Sequence, residues 1–339
     1  MKAGAFSFLG IALWFACMYN EAMQESRPEG RALETNTGAA QNLSNEFFCD
    51  FFKKGIDGAF RYCIMATIET HNTGCKKMVK VASFGTKKAL SAALVAAGVK
   101  GSILSIGNDA KTVKGEKVGY KTGIVYMTPD RELCPASKAA ACEEGCLNTS
   151  GRAGIFATIP AARSAKSALF KNNPGLFFSA LIAEIGHYSA KFGESFVVRL
   201  NGTSDIAFED IALEYKGIEY SNIFEIFPDV QFYDYTKRVN RAAKVLPANY
   251  DLTLSYSGAR SSYAESVLKY ANAYGKRVAV VFAGGLPETF HNMPVVDGDE
   301  TDLRFLEPGG VIVGLKAKGK ARKDNSGFVV RHAGLIAVA

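Results

Sequence analysis

Six apolar runs of strand length, each followed by a segment long enough to cross a sheet, constrain this chain more than any other feature. They are Gly123–Met127, Ser195–Leu200, Val230–Tyr235, Tyr250–Tyr256, Arg277–Phe282 and Val311–Leu315. Helical patterns lie between most of them: Ala162–Phe170, Pro174–Lys191, a short one at Phe208–Tyr215, a basic one at Arg238–Leu246, and Ser262–Tyr274. In Pro174–Lys191 the proline occupies a first-turn position, and Phe177, Leu181, Ile182 and Ile185 form one apolar stripe. Strands separated by crossovers of this length pair in parallel. The expected fold is therefore α/β, a parallel β/α barrel or partial barrel of about six strands over residues 116–339. Spacing alone fits an open doubly wound sheet equally well.

The 339 residues can bury a large core, and 48% hydrophobic against 22% charged residues is ordinary globular composition. Seven cysteines are too few for a disulfide framework and odd in number, which reads as a reducing compartment. Residues 1–64 read as an N-terminal extension. It opens on Lys2 and an apolar run through Trp14 and Cys17 that resembles a signal peptide but is shorter than the roughly 20 residues of a bilayer span. Met65 is an alternative initiation point, and no stable membrane span is expected. Residues 65–115 form a basic Ala/Lys-rich segment. Between Lys76 and Lys121 ten lysines stand against Asp109 and Glu116, a local +8 in a chain of net +7. Without interleaved arginine, and with only Phe84 and Tyr120 as aromatics, this reads as a solubilising surface with at most a weak polyanion contact. Within it, Thr86 caps an Ala-rich helix stopped by Gly98, expected to pack outside the main domain, and residues 101–121 read as a boundary or hairpin.

Three of the cysteines, Cys134, Cys142 and Cys146, share one loop directly after the first strand. Thiolates select zinc, copper(I) and iron–sulfur clusters. Three ligands leave one position of a [4Fe–4S] cube open, whereas structural zinc needs a fourth ligand, for which His291 and Cys75 are the choices. In parallel β/α folds the functional groups gather at the carboxyl ends of the strands. Those ends offer Arg199 with Asn201-Gly202-Thr203-Ser204-Asp205, then Asp234 with Thr236 and Lys237, then Ser255, Ser257 and Arg260. The acidic stretch containing Asp297, Asp299 and Asp302 lacks the spacing of an EF-hand and reads as a loop shaping a substrate. Gly284-Gly285 and Gly309-Gly310 lack the lysine of a Walker loop, no HExxH or GxSxG is present, and His187 falls within a helix.

The order of strand, three-cysteine loop, helix, strand and small polar loop resembles the opening of radical S-adenosylmethionine enzymes. The spacing here is C-x7-C-x3-C rather than CxxxCxxC, and the second-strand loop has one glycine. The resemblance implies a [4Fe–4S] cluster on Cys134, Cys142 and Cys146, with S-adenosylmethionine held near Asn201, Gly202, Thr203 and Ser255. Arg199, Asp205, Asp234 and Lys237 then line the mouth as catalytic groups that position substrate or handle protons. The Cys-Pro start of the loop, Arg199–Asp205, Tyr233–Lys237 and Asp297–Arg304 are also similar to the phage "gene product eighty-eight" family, over roughly residues 100–339. That resemblance implies a phage or prophage origin and a place in the host cytoplasm, and it names no substrate. The competing reading is a non-catalytic phage protein whose zinc-pinned loop leaves it to bind nucleic acid or a host protein.

Overall fold

The main sheet is built from strands whose two faces do different work. The computed structural model describes residues 78–107, 110–149 and 151–331; the readings placed on residues 1–64, Met65 and Cys75 lie outside them. The strands in chain order are β1 (Val79–Lys80), β2 (Leu104–Ile106), β3 (Lys121–Val125), β4 (Phe196–Arg199), β5 (Leu213–Tyr215), β6 (Ile218–Tyr220), β7 (Gln231–Thr236), β8 (Tyr250–Ser255), β9 (Val278–Ala283), β10 (Thr289–Phe290), β11 (Met293–Asp297), β12 (Ile312–Lys316) and β13 (Val330–Arg331). Across the sheet the order is β10-β11-β12-β9-β8-β7-β4-β3-β2. The strands from β11 to β3 pair in parallel, and β2 and β10 add antiparallel edges. No pairing joins β2 to β10 among the described residues, so the sheet is open at both edges and not closed into a barrel.

Because β3, β4, β7, β8 and β9 are neighbours in chain order, right-handed crossovers send their connections to one face. Among the described residues six helices accompany the strands: α1 (Lys87–Ala96), α2 (Ala110–Glu116), α3 (Thr158–Asn172), α4 (Pro174–Phe192), α5 (Ile223–Ile226) and α6 (Ser261–Tyr274). Helix α4 starts where expected, with Asn173 Oδ1 accepting from Leu176 N and Pro174 in the first turn. Its stripe packs on Phe196, Val198 and Phe232, and Phe170, Phe177, Phe178 and Phe208 meet largely edge to face at 5.1–6.3 Å. A second cluster sets Val267 and Ala271 of α6 against Leu254, Val278, Val280 and Phe282. The alternate residues of the same strands, among them Ile124, Arg199, Tyr235, Ser255 and Val281, face the opposite way and line a cavity.

Several local expectations are corrected. Phe208–Tyr215 is a 3-10 turn, Phe208–Asp210, followed by β5, because Lys216 and Gly217 both take positive φ (53° and 77°) and close a hairpin with β6. Arg238–Leu246 shortens to a 3-10 turn at Val239–Ala243 ahead of Pro247. The acidic region hides a strand, β11, entered by a turn in which His291 and Asn292 have φ of 48° and 61°. Helix α1 has its Thr86 cap, accepting from Ala89 N at 3.1 Å, but it does not stand apart: Leu94 is buried in the α4 cluster. Finally, β13 takes the edge of β9 that β8 leaves after Ser255. It brings Phe328 to within 3.2 Å of where a Cβ on Gly145 would lie, and Ser326 Oγ donates to Ala141 O at 3.3 Å.

Candidate functional site

The cysteine loop is held by its neighbours on both sides. After β3, Thr128 N donates to Ser167 Oγ of α3 at 2.9 Å, and Asp130 Oδ1 accepts from Glu132 N and Leu133 N. This Asx turn delivers Cys134, whose N–H donates to Asp130 O at 2.7 Å. Ala141, with φ of 48°, reverses the chain before Cys142, and Cys142 Sγ lies 3.7 Å from Ser137 O. Asn148 N donates to Cys146 Sγ at 3.4 Å, while Arg163 of α3 holds Asn148 O at 2.9 Å. Cys134 and Cys142 are buried and Cys146 is partly exposed.

Opposite stands the loop after β4, which is rigid for an identifiable reason. Asn201 closes it by accepting from Ser204 Oγ (2.9 Å) and Ile206 N (2.8 Å) and donating to Ile206 O. Gly202 N donates to Val125 O at 2.9 Å and Thr203 Oγ1 to Met127 O, which lays the loop across the end of β3. Asp205 N donates to Leu133 O at 2.7 Å, tying the two loops together one residue before Cys134. The Asp205 carboxylate accepts from Thr236 Oγ1, Lys237 N and Arg241, so its oxygens already hold the framework.

Asp234 is placed differently from the other predicted residues. It is fully buried on the helix-facing side of β7, accepting from Asn201 N (2.7 Å), Asn201 Nδ2 (3.0 Å) and Tyr250 Oη (3.2 Å), and it does not line the cavity. Burial raises its pKa from 3.8 to about 6, against the pull of Arg199 and the Asn201 hydrogen bonds. The folded chain thus binds this proton more tightly than the unfolded chain, and stability falls as pH rises from 3.8 to about 6. Asp234→Asn is expected to remove that slope. Urea unfolding of the two proteins between about pH 4 and pH 7 checks it, since a stability difference that stays constant with pH would mean Asp234 is ionised throughout.

Cys134, Cys142, Cys146, Arg199, Asn201, Gly202, Thr203, Asp205, Lys237 and Ser255 all line one cavity of roughly 1500 Å³ at the carboxyl ends of the strands. Burial pushes the Cys134 thiol up to about 12 and the Cys142 thiol upward, in each case against the opposing charge of Lys237. Arg199 Nη1 donates to Asp302 Oδ2 at 2.8 Å, its guanidinium lies 4.6 Å from the Tyr235 ring centre, and its buried Nε has no hydrogen-bond partner. Sequence reasoning had not joined Asp302 to Arg199, nor found Tyr126 and Arg163, which stack at 4.8 Å on the cavity wall. Asp299 instead pairs with Lys318 at 2.7 Å, and Asp297 with Lys316 at 3.5 Å. His291 lies beside Tyr256, with Nε2 3.4 Å from its hydroxyl, and is not among the residues lining the cavity. Among the described residues no group of three or more His, Cys, Asp and Glu is already drawn together around a metal position. Of the lysine segment, Lys80 pairs with Glu214, Lys121 with Glu116, and Lys114 donates to Asp299 O.

Fold and site together define a predominantly parallel α/β protein with a thiol-lined cavity where its strands end. The family model described as Gene product 88 matches residues 102–332, the sheet and both loops included, and the chain belongs to that family. No curated protein and no solved structure matches the chain. Among the described residues no helix is long and apolar enough to cross a membrane.

Proposed function

We propose that this chain is a phage-family iron–sulfur protein that acts as an enzyme resembling radical S-adenosylmethionine proteins. The observation that carries the reading is that three thiols and the Asn201–Asp205 loop line one cavity at the carboxyl ends of parallel strands. Three sulfurs from one loop suit a soft centre with an open position; of the two fourth ligands a closed structural zinc would draw on, His291 lies off the cavity and Cys75 lies outside the described residues. When bound, a cluster would supply the electron that cleaves S-adenosylmethionine to a carbon radical, chemistry no side chain performs alone.

The chain's own residues have separate tasks in this reading. Cys134, Cys142 and Cys146 would hold the metal, and binding must displace the thiol protons that burial retains, so uptake weakens as pH falls. Lys237 sets a positive charge beside the sulfurs and offsets the anionic charge they acquire. Asn201, Gly202, Thr203 and Ser255 offer polar backbone and hydroxyl groups to a small ligand. Arg199 presents a charged group whose orientation is fixed by Asp302. Asp205 and Asp234 act from behind, holding the loop in shape.

Anaerobic purification followed by iron, sulfide and zinc analysis tests the reading, with Cys142→Ala as control. The expected result is about four irons and four sulfides per chain, lost in the variant. About one zinc without sulfide would overturn it in favour of a structural site and a binding role.

A further inference from the structure

The cavity is larger than the roughly 300–1,000 Å³ of a typical small-molecule site, so a methionine-derived cofactor would leave room for a second ligand. The charges around it point to what that ligand carries. Every acid on its wall is engaged: Asp130 with Lys171, Glu143 with Ser137, Asp205 with Arg241, Asp299 with Lys318 and Asp302 with Arg199. Arg131, Arg152 and Arg322 are exposed on the same wall and pair with no carboxylate among the described residues. Arg322 belongs to the 3-10 turn Gly319–Lys323, which adds exposed Lys320 and Lys323 and lies against the turn Leu147–Thr149. Glu132, next to Arg131, is exposed and pairs with Lys171 at 2.9 Å, and Glu143 and Glu144 are exposed acids on the cysteine loop. Apolar surface accompanies the charge, for Leu147, Ile155 and Phe156 are each more than half exposed, and Arg152 lies 5.9 Å from the Phe156 ring centre.

We propose that this rim binds the phosphate of a nucleotide, free or within a single strand, and presents it to the thiol-lined cavity. Uncompensated guanidinium groups match phosphate oxygens two at a time, and exposed apolar and aromatic surface beside them suits a nucleobase. An unpaired Nε on Arg199 adds a buried donor on the wall of the same cavity. This deepens the proposed function and rests on the cavity being the site, without requiring the cluster.

The test uses the full chain freed of metal. Anisotropy of a fluorescein-labelled ten-nucleotide oligothymidylate is followed, with thymidine monophosphate, thymidine and a ten-residue polyglutamate as competitors. Thymidine monophosphate is expected to compete and thymidine is not. Arg152→Ala/Arg322→Ala is expected to weaken binding about tenfold and to lower the salt slope by about 1–2. Lys87→Ala/Lys88→Ala, on α1 away from the cavity, leaves both unchanged. A strand at least tenfold tighter than the monophosphate identifies the strand as the source, and equal affinities identify the free nucleotide; both support the proposal. Absence of phosphate-dependent binding, polyglutamate binding as tightly, or equal loss in the α1 variant overturns it. Phosphate binding by a chain that carries no iron after anaerobic purification would sink the cluster reading alone, and a full cluster in a chain that fails to bind phosphate would sink only this one.

Discussion

Arg241→Met is expected to lower folding stability by about 3–5 kcal/mol, the cost of breaking a buried ion pair from one side. The guanidinium is wholly buried, with Nε and Nη2 each 2.8 Å from the two Glu209 oxygens, Nη1 2.8 Å from Asp205 and Nη2 2.8 Å from Tyr250 Oη. Methionine fills the space but leaves the two buried carboxylates without their guanidinium partner, with Lys244 still 3.8 Å from Glu209. Urea unfolding at pH 7 measures the loss, and a change below about 1 kcal/mol would mean the carboxylates find other partners. The effect reaches the site through Asp205, which also holds the Lys237 backbone and, through Leu133, the start of the cysteine loop. The Cys134 thiol is therefore expected to react faster with a thiol reagent in the variant than in the parent.

Gly202→Ala is the second large effect. A Cβ at this position would lie 2.7 Å from both Ile124 Cγ2 and Tyr126 Cδ1, too close for either to remain. Ile124 is buried within β3 and Tyr126 is stacked under Arg163, so displacing either toward the cavity they line would break that packing. The loop is expected to lift from β3, lose the Gly202 N to Val125 O bond, and cost about 1–3 kcal/mol as overpacking does. Thermal unfolding of the variant, read with the reactivity of its Cys134 thiol, checks this. Parental values for both would mean that the loop does not lie on the strand.

The parallel strands were legible because burial on both faces writes them as nearly continuous apolar runs, as in Phe196-Val197-Val198 and Val278–Phe282. The α4 stripe was legible for the same reason at helical period. Positive-φ turns were harder to see. Lys216-Gly217 carries a hairpin signal that the apolar pattern of Phe208–Tyr215 obscured, and His291-Asn292 carries none that composition reveals. At the site, the carboxyl-end rule located both loops, but it treated Asp234 like its neighbours. Period two already separates it, since Tyr233 and Tyr235 face one way and Asp234 the other. The Arg199–Asp302 pair spans 103 residues and joins two segments that only the completed sheet brings together. No local pattern encodes such a contact.

The seat of the cysteine loop depends on a late arrival. Phe328 packs on Gly145, and Ser326 donates to Ala141, a residue made 185 positions earlier. β13 then anchors that segment on β9. During synthesis the thiols leave the ribosome while the piece that seats them is still unmade. A growing chain therefore carries its three sulfurs on a loop still missing one of its walls. A protein stopped short of Ser326 would lose β13 and the wall that Ser326 and Phe328 give the cysteine loop.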